Sequence, residues 1–154
     1  NGSWGLAFFA FLAMQLQGTL YNYYYVIFRN RFNGDKTSRI FEDESPSAMP
    51  GEKQSSVNKW FWMYKICYSI FDKTIYQMDK NAKYAEHFPK WFMTAISSFG
   101  LGFQLLIISF MLCVGWAEYI ILFFIFYSIL TFVFILFRKG INSGWIGNYV
   151  EKAN

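Results

Sequence analysis

The apolar residues of this 154-residue chain are gathered into three long blocks, and that clustering constrains the fold more than any other feature. A soluble core needs apolar residues spread at helical or strand spacing along the chain. Uninterrupted blocks of about 20 residues instead match the hydrocarbon thickness of a bilayer. Hydrophobic types make up 55% of the sequence and charged types 16%, a balance too apolar for an ordinary soluble domain. The expected fold class is all-α integral membrane, with three transmembrane helices plus one amphipathic interfacial helix.

The first block, within residues 1–28, runs from Trp4 to Phe28 and reads as the first transmembrane helix. It starts without a basic flank and is too long for the apolar core of a signal peptide. Gln15, Gln17, Thr19 and Asn22 put amides and a hydroxyl at depth, where hydrocarbon offers them no partner, so that side of the helix is expected to face protein. Tyr21, Tyr23, Tyr24 and Tyr25 suit the aromatic belt at the end nearer Arg29 and Arg31.

Residues 29–90 form a polar segment carrying eleven Lys or Arg and eight Asp or Glu. Asn33-Gly34-Asp35 is a tight-turn signal. Glu42 to Gln54, with Pro46, Pro50 and Gly51, reads as a loop. Ser55 or Ser56 can then cap a helix over about 55–80, with apolar positions at Val57, Trp60, Phe61, Tyr64, Cys67, Tyr68, Phe71, Ile75 and Met78. Lysines take the opposite face, the pattern of a helix lying in the membrane interface or packed across the span ends.

The second block, Trp91 to about Gly115, and the third, Trp116 to Phe137, meet with almost no connection, so residues 91–137 are expected to form a transmembrane helical hairpin. Ser98 and Gly102, with Gly100 between them, offer a small surface for close helix approach. Residues 138–154 form a tail with Arg138, Lys139 and Lys152. The turn between the second and third blocks and the residues before the first hold no Lys or Arg. Three spans place the polar segment and the tail together on the positive-inside face of a bacterial inner membrane or mitochondrial inner membrane.

The net charge of +4 is accounted for by this orientation rule, and no basic stripe interleaved with aromatics on a polar background points to nucleic acid. Cys67 and Cys113 form no paired framework, and His87 is the single histidine, so neither a metal site nor a cofactor is expected. His87 reads as an interfacial residue and Glu118 as a hairpin-tip residue. Phosphate loops and nucleophile elbows are absent. Arg29, Arg31, Lys36 and Arg39 concentrate cations at the membrane surface. They fit either a lipid or phosphate site for anionic headgroups or a solvated positive-inside anchor. Gln15, Gln17, Asn22, Ser98 and Gly102 are the expected helix–helix interface.

Gln17-Gly18-Thr19-Leu20-Tyr21-Asn22-Tyr23-Tyr24-Tyr25, Gly34-Asp35-Lys36-Thr37-Ser38-Arg39, Pro50-Gly51-Glu52 and the Tyr-rich amphipathic helix with Asp72 resemble the later half of bacterial CDP-alcohol phosphatidyltransferase-like membrane proteins. The resemblance covers Gln17 to Phe137. It implies a phospholipid-synthesis family of six-span proteins that move a phospho-group from a CDP-linked donor onto an alcohol with divalent metal. The family signature, DGxxAR followed by GxxxDxxxD, does not occur here: Asn22 and Val26 stand at the aspartate positions after Gly18. No catalytic or metal-binding residue is therefore carried over. The resemblance implies a non-catalytic relative, or a partial one whose signature lies upstream. The alternative is a small accessory subunit of a multi-subunit respiratory or photosynthetic membrane complex, with lipids and other membrane-protein subunits as partners.

Overall fold

The structure, a computed structural model, describes residues 3–33, 41, 44–85 and 88–142, with backbone only at 32, 33 and 142. Helices and turns account for the regular structure of the described residues, with no strand among them. Helix α1, Trp4–Phe28, has 25 residues without proline, about 37 Å at 1.5 Å per residue. It runs into a π-helical turn over Arg29–Asn33. Helix α2, Gln54–Met78, starts after Lys53 with no side-chain cap, so Ser55 and Ser56 lie in its first turn rather than capping it, and a 3₁₀ turn, Lys80–Tyr84, follows.

The second apolar block is not one straight helix. Helix α3, Lys90–Ile96, ends in a 3₁₀ turn at Ser97–Phe99, and α4, Leu101–Cys113, leaves at 54° to it. Gly100 sits in extended conformation, with ψ of 149°. Its carbonyl accepts the first bonds of α4, from the Phe103 and Gln104 N–H groups at 3.0 and 3.1 Å. The cause is local: the Ser97 hydroxyl bonds the Thr94 carbonyl at 2.6 Å, a short polar contact that competes with the helix ladder, and glycine holds the next turn only weakly. The expected close approach at Ser98 and Gly102 is thereby redistributed. A Cβ on Gly102 would meet nothing within 4 Å, whereas one on Gly100 would lie 3.0 Å from the Ser97 carbonyl and 3.6 Å from the Tyr21 ring. Within the chain, Gly100 takes the role expected of Gly102.

The tight turn between the apolar blocks has a defined cause. Gly115, at φ +82°, donates its N–H to Leu112 at 3.1 Å, and Trp116 donates to Met111 at 2.8 Å. This is the paired bonding of a Schellman C-cap, which needs a left-handed residue where glycine stands. The chain returns through a 3₁₀ turn, Ala117–Tyr119, then α5, Ile120–Tyr127, and α6, Ile129–Asn142. Taken together, Ala117–Ile141 is long and apolar enough to cross a membrane, with 17% of its window buried; α3 and α4 pass the same test only as one bent span.

Helix α1 is the centre of the molecule, packed by α2, by α5 and by the Ser97–Phe99 turn. The core gathers at the end of α1 nearest the polar segment: Leu20, Tyr23, Tyr24 and Ile27 pack with Ile75, Ala82, Ala85, Phe88, Phe92, Ile96, Phe99 and Ile135. Edge-on aromatic contacts, Tyr24–Phe92 at 5.7 Å, Phe99–Tyr127 at 5.2 Å and Phe99–Phe134 at 5.3 Å, hold this end together. The opposite end is apolar on its outside: Trp4, Phe8, Phe9 and Phe11 of α1 are exposed, as are Leu105, Leu106 and Phe110 of α4.

Candidate functional site

Two layers of buried polar contacts join α1 to the rest of the chain. In the first, Gln17 is fully buried and donates through Nε2 to the Phe124 carbonyl of α5 at 3.2 Å. Its Oε1 accepts from Gln104 Nε2 of α4 at 3.0 Å, and Gln104 also reaches the Met14 carbonyl at 3.2 Å. One amide thus bridges both legs of the hairpin. Ser98 makes the next link, accepting from the Tyr127 hydroxyl at 2.9 Å. Of the other two expected amides, Gln15 is half-buried and Asn22 is exposed. Asn22 lies outward on the turn of α1 that buries Tyr23 and Tyr24.

The second layer lies where α2 ends. Asp79, buried with 1% of its surface exposed, accepts at Oδ2 from the Tyr24 hydroxyl at 2.8 Å and at Oδ1 from Nη2 of Arg138. The Asp79 carbonyl accepts from the Tyr23 hydroxyl at 2.8 Å. Asp79 therefore fastens α1, α2 and α6 at one point, and its ion pair with Arg138 is itself buried. Burial pushes the Asp79 carboxyl above the usual carboxylate range, against the Tyr24 hydrogen bond and the Arg138 charge, which pull it down.

Beside this lock opens a polar recess of about 550 Å³ lined by Gln77, Met78, Asp79, Lys80, Asn81, Arg138 and Lys139. Lys80, Asn81 and Lys139 are exposed at its rim. Of the cations that the sequence singles out, Arg29 and Arg31 are described, and both are engaged elsewhere. Arg31 donates through Nη1 to the Ala85 carbonyl, just beyond the 3₁₀ turn, and Arg29 stands over the Tyr25 ring at 5.5 Å. Lys36, Arg39 and His87 lie outside the described residues. Glu118 is exposed in the hairpin turn. Among the described residues, no group of three or more His, Cys, Asp or Glu side chains is placed to hold a metal ion.

Sequence reasoning found Gln17 but missed Gln104, Asp79 and Arg138. A signal existed for Arg138, which directly follows the third apolar block, where a charge pressed against a span needs a partner; Asp79 stands inside the polar segment, at the end of the amphipathic helix. Their separation of 59 residues leaves that pairing to the tertiary fold. No protein-family model matches the chain, and no curated protein or solved structure matches it significantly.

Proposed function

We propose that the chain is an integral membrane protein that crosses the bilayer three times, through α1, the bent α3–α4 pair and α5–α6. It works at anionic phospholipid headgroups on its positively charged face, as a non-catalytic or partial relative of the CDP-alcohol phosphatidyltransferases would. The observation that carries the reading is the gathering of Arg29, Arg31, Lys80, Arg138 and Lys139 around one end of the bundle, tied together by the Arg31–Ala85 and Asp79–Arg138 bonds. A cationic end on an apolar bundle suits binding to lipid phosphates. A bacterial or mitochondrial inner membrane, with its anionic lipids, is the matching location.

One observation favours the second reading, an accessory subunit of a larger membrane complex. Trp60, Trp62, Met63, Ile66 and Ile70 of α2 are all exposed, more apolar surface than one interfacial stripe needs. Native mass spectrometry of the protein extracted in mild detergent decides between them. Retained phosphatidylglycerol, cardiolipin or phosphatidic acid on the isolated chain supports the lipid reading. Stable larger subunits without retained anionic lipid would overturn it in favour of the accessory role.

A further inference from the structure

We infer that the recess beside the Asp79–Arg138 lock is a phosphate-ester site, which deepens and rests on the headgroup reading above. Arg138 has 4% of its surface exposed. Its Nη2 is bonded to Asp79, but Nε and Nη1 find no hydrogen-bond partner among the described residues. A guanidinium carries five N–H donors in a planar fork suited to carboxylate and phosphate oxygens. Desolvated donors left unmet are costly, so an acceptor brought to this side chain is favoured. Arg138 lines the recess itself.

The charges around the cavity select the ligand. Asp79 is the single acid of the lining, and both its carboxylate oxygens are already occupied, by Tyr24 and by Arg138. Its charge is therefore spent on Arg138, which leaves Lys80 and Lys139 as net cations at the mouth. Asn81 and Gln77 add amide donors. Two cations, amide donors and an under-used guanidinium complement a group with several acceptor oxygens and one or two negative charges, which is a phosphate ester. A neutral sugar or a cation lacks that match. The volume of about 550 Å³ admits a phosphate together with the glycerol of a lipid. Arg138 and Lys139 together follow the apolar stretch of α6, so a lipid reaching the recess can keep its acyl chains beside that helix.

The site is distinct from the Arg29 and Arg31 cluster, whose guanidinium groups are held by Tyr25 and Ala85. Lys80→Gln and Lys139→Gln remove none of the hydrogen bonds of the buried lock, so the fold is expected to be kept. Lys59→Gln and Lys65→Gln on exposed positions of α2 serve as controls with the same charge change. Binding of a short-chain phosphatidic acid, with phosphatidylcholine for comparison, is measured on the purified full chain by native mass spectrometry. Inorganic phosphate is titrated alone in parallel by calorimetry.

The expected result is a weakening of roughly fivefold for each recess lysine and little change for the α2 controls. The double variant Asp79→Asn with Arg138→Gln, which removes the pair without stranding either charge, is expected to weaken binding further. The same pattern with inorganic phosphate alone would support the site and identify the ligand as a soluble phosphate. Equal losses for recess and α2 variants would overturn the site while leaving a diffuse headgroup attraction. Full binding retained by every recess variant would overturn the site alone, whereas failure of the unaltered protein to bind phosphatidic acid more tightly than phosphatidylcholine would overturn the headgroup reading.

Discussion

Gln17 can satisfy its amide without any other protein, and this changes what a polar residue in a long apolar helix implies. Its Nε2 and Oε1 are both used inside the chain, by Phe124 and Gln104, so its presence does not call for a neighbouring subunit. Gln17→Leu is expected to lose about 0.6 to 2 kcal/mol for each bond broken, measured by reversible unfolding in mixed micelles. Asn22→Leu, at an exposed position, is expected to leave intrachain stability unchanged. The buried ion pair behaves differently. Arg138→Leu strands the Asp79 carboxylate and is expected to destabilise by about 3 to 5 kcal/mol, whereas Asp79→Asn combined with Arg138→Gln removes both charges and costs far less. If the single and double variants unfold at the same denaturant midpoint, the pair does not hold α6 onto α2. Gln17 was legible in the sequence because an amide in an apolar block demands a partner. Gln104 was passed over because one amide in a long apolar run disturbs no pattern, and the Asp79–Arg138 pair because contact between distant charges is decided by packing, not by spacing.

At the scale of elements, local chemistry was read well and bends were not. The extent of α2 followed from its apolar periodicity, and the abrupt reversal after Cys113 from two apolar blocks meeting with almost no connection. The break at Gly100 did not, because the apolar pattern continues through Phe99, Leu101 and Phe103 and hydropathy is blind to backbone direction. The two glycines make separable predictions. Gly115→Ala forces a left-handed backbone onto a residue with a Cβ and is expected to cost about 1 to 2 kcal/mol. Gly100→Ala keeps an allowed conformation, but its methyl must sit 3.0 Å from the Ser97 carbonyl, for which overpacking costs of about 1 to 3 kcal/mol are expected. Gly102→Ala, with open space around it, is the neutral control. A Gly102→Ala protein as destabilised as Gly100→Ala would mean that the small surface lies at Gly102 after all. Near the hairpin turn a cleft of about 780 Å³ is lined by Leu106, Ile107, Phe110 and Met111 of α4 and by Trp116, Tyr119, Leu122, Phe123 and Phe126. Deeper in the chain Gln17 of α1 bonds to both legs.

For the whole molecule the decisive question is which ends of the bundle share a side of the membrane, and the chain carries its own reporters. Cys67 and Cys113 are both free and exposed. Cys67 lies in α2, within the polar segment, and Cys113 ends α4 at the hairpin turn. Under the three crossings proposed above, the charge asymmetry would put the polar segment and the tail on the positive side and the hairpin turn on the other. Three crossings therefore place the two thiols on opposite faces. In Cys113→Ser protein, a membrane-impermeant maleimide is expected to label Cys67 only in inverted vesicles or after permeabilisation. In Cys67→Ser protein it is expected to label Cys113 in right-side-out vesicles. The alternative with a single crossing, Ala117–Ile141, leaves α1, α2 and the bent pair on one side, so that both thiols react from the same face. Labelling of both cysteines from one side would therefore reduce the protein to one crossing. It would also leave the exposed apolar surface of α1 and α4 in need of a protein partner, and would favour the accessory-subunit reading over work at the lipid surface.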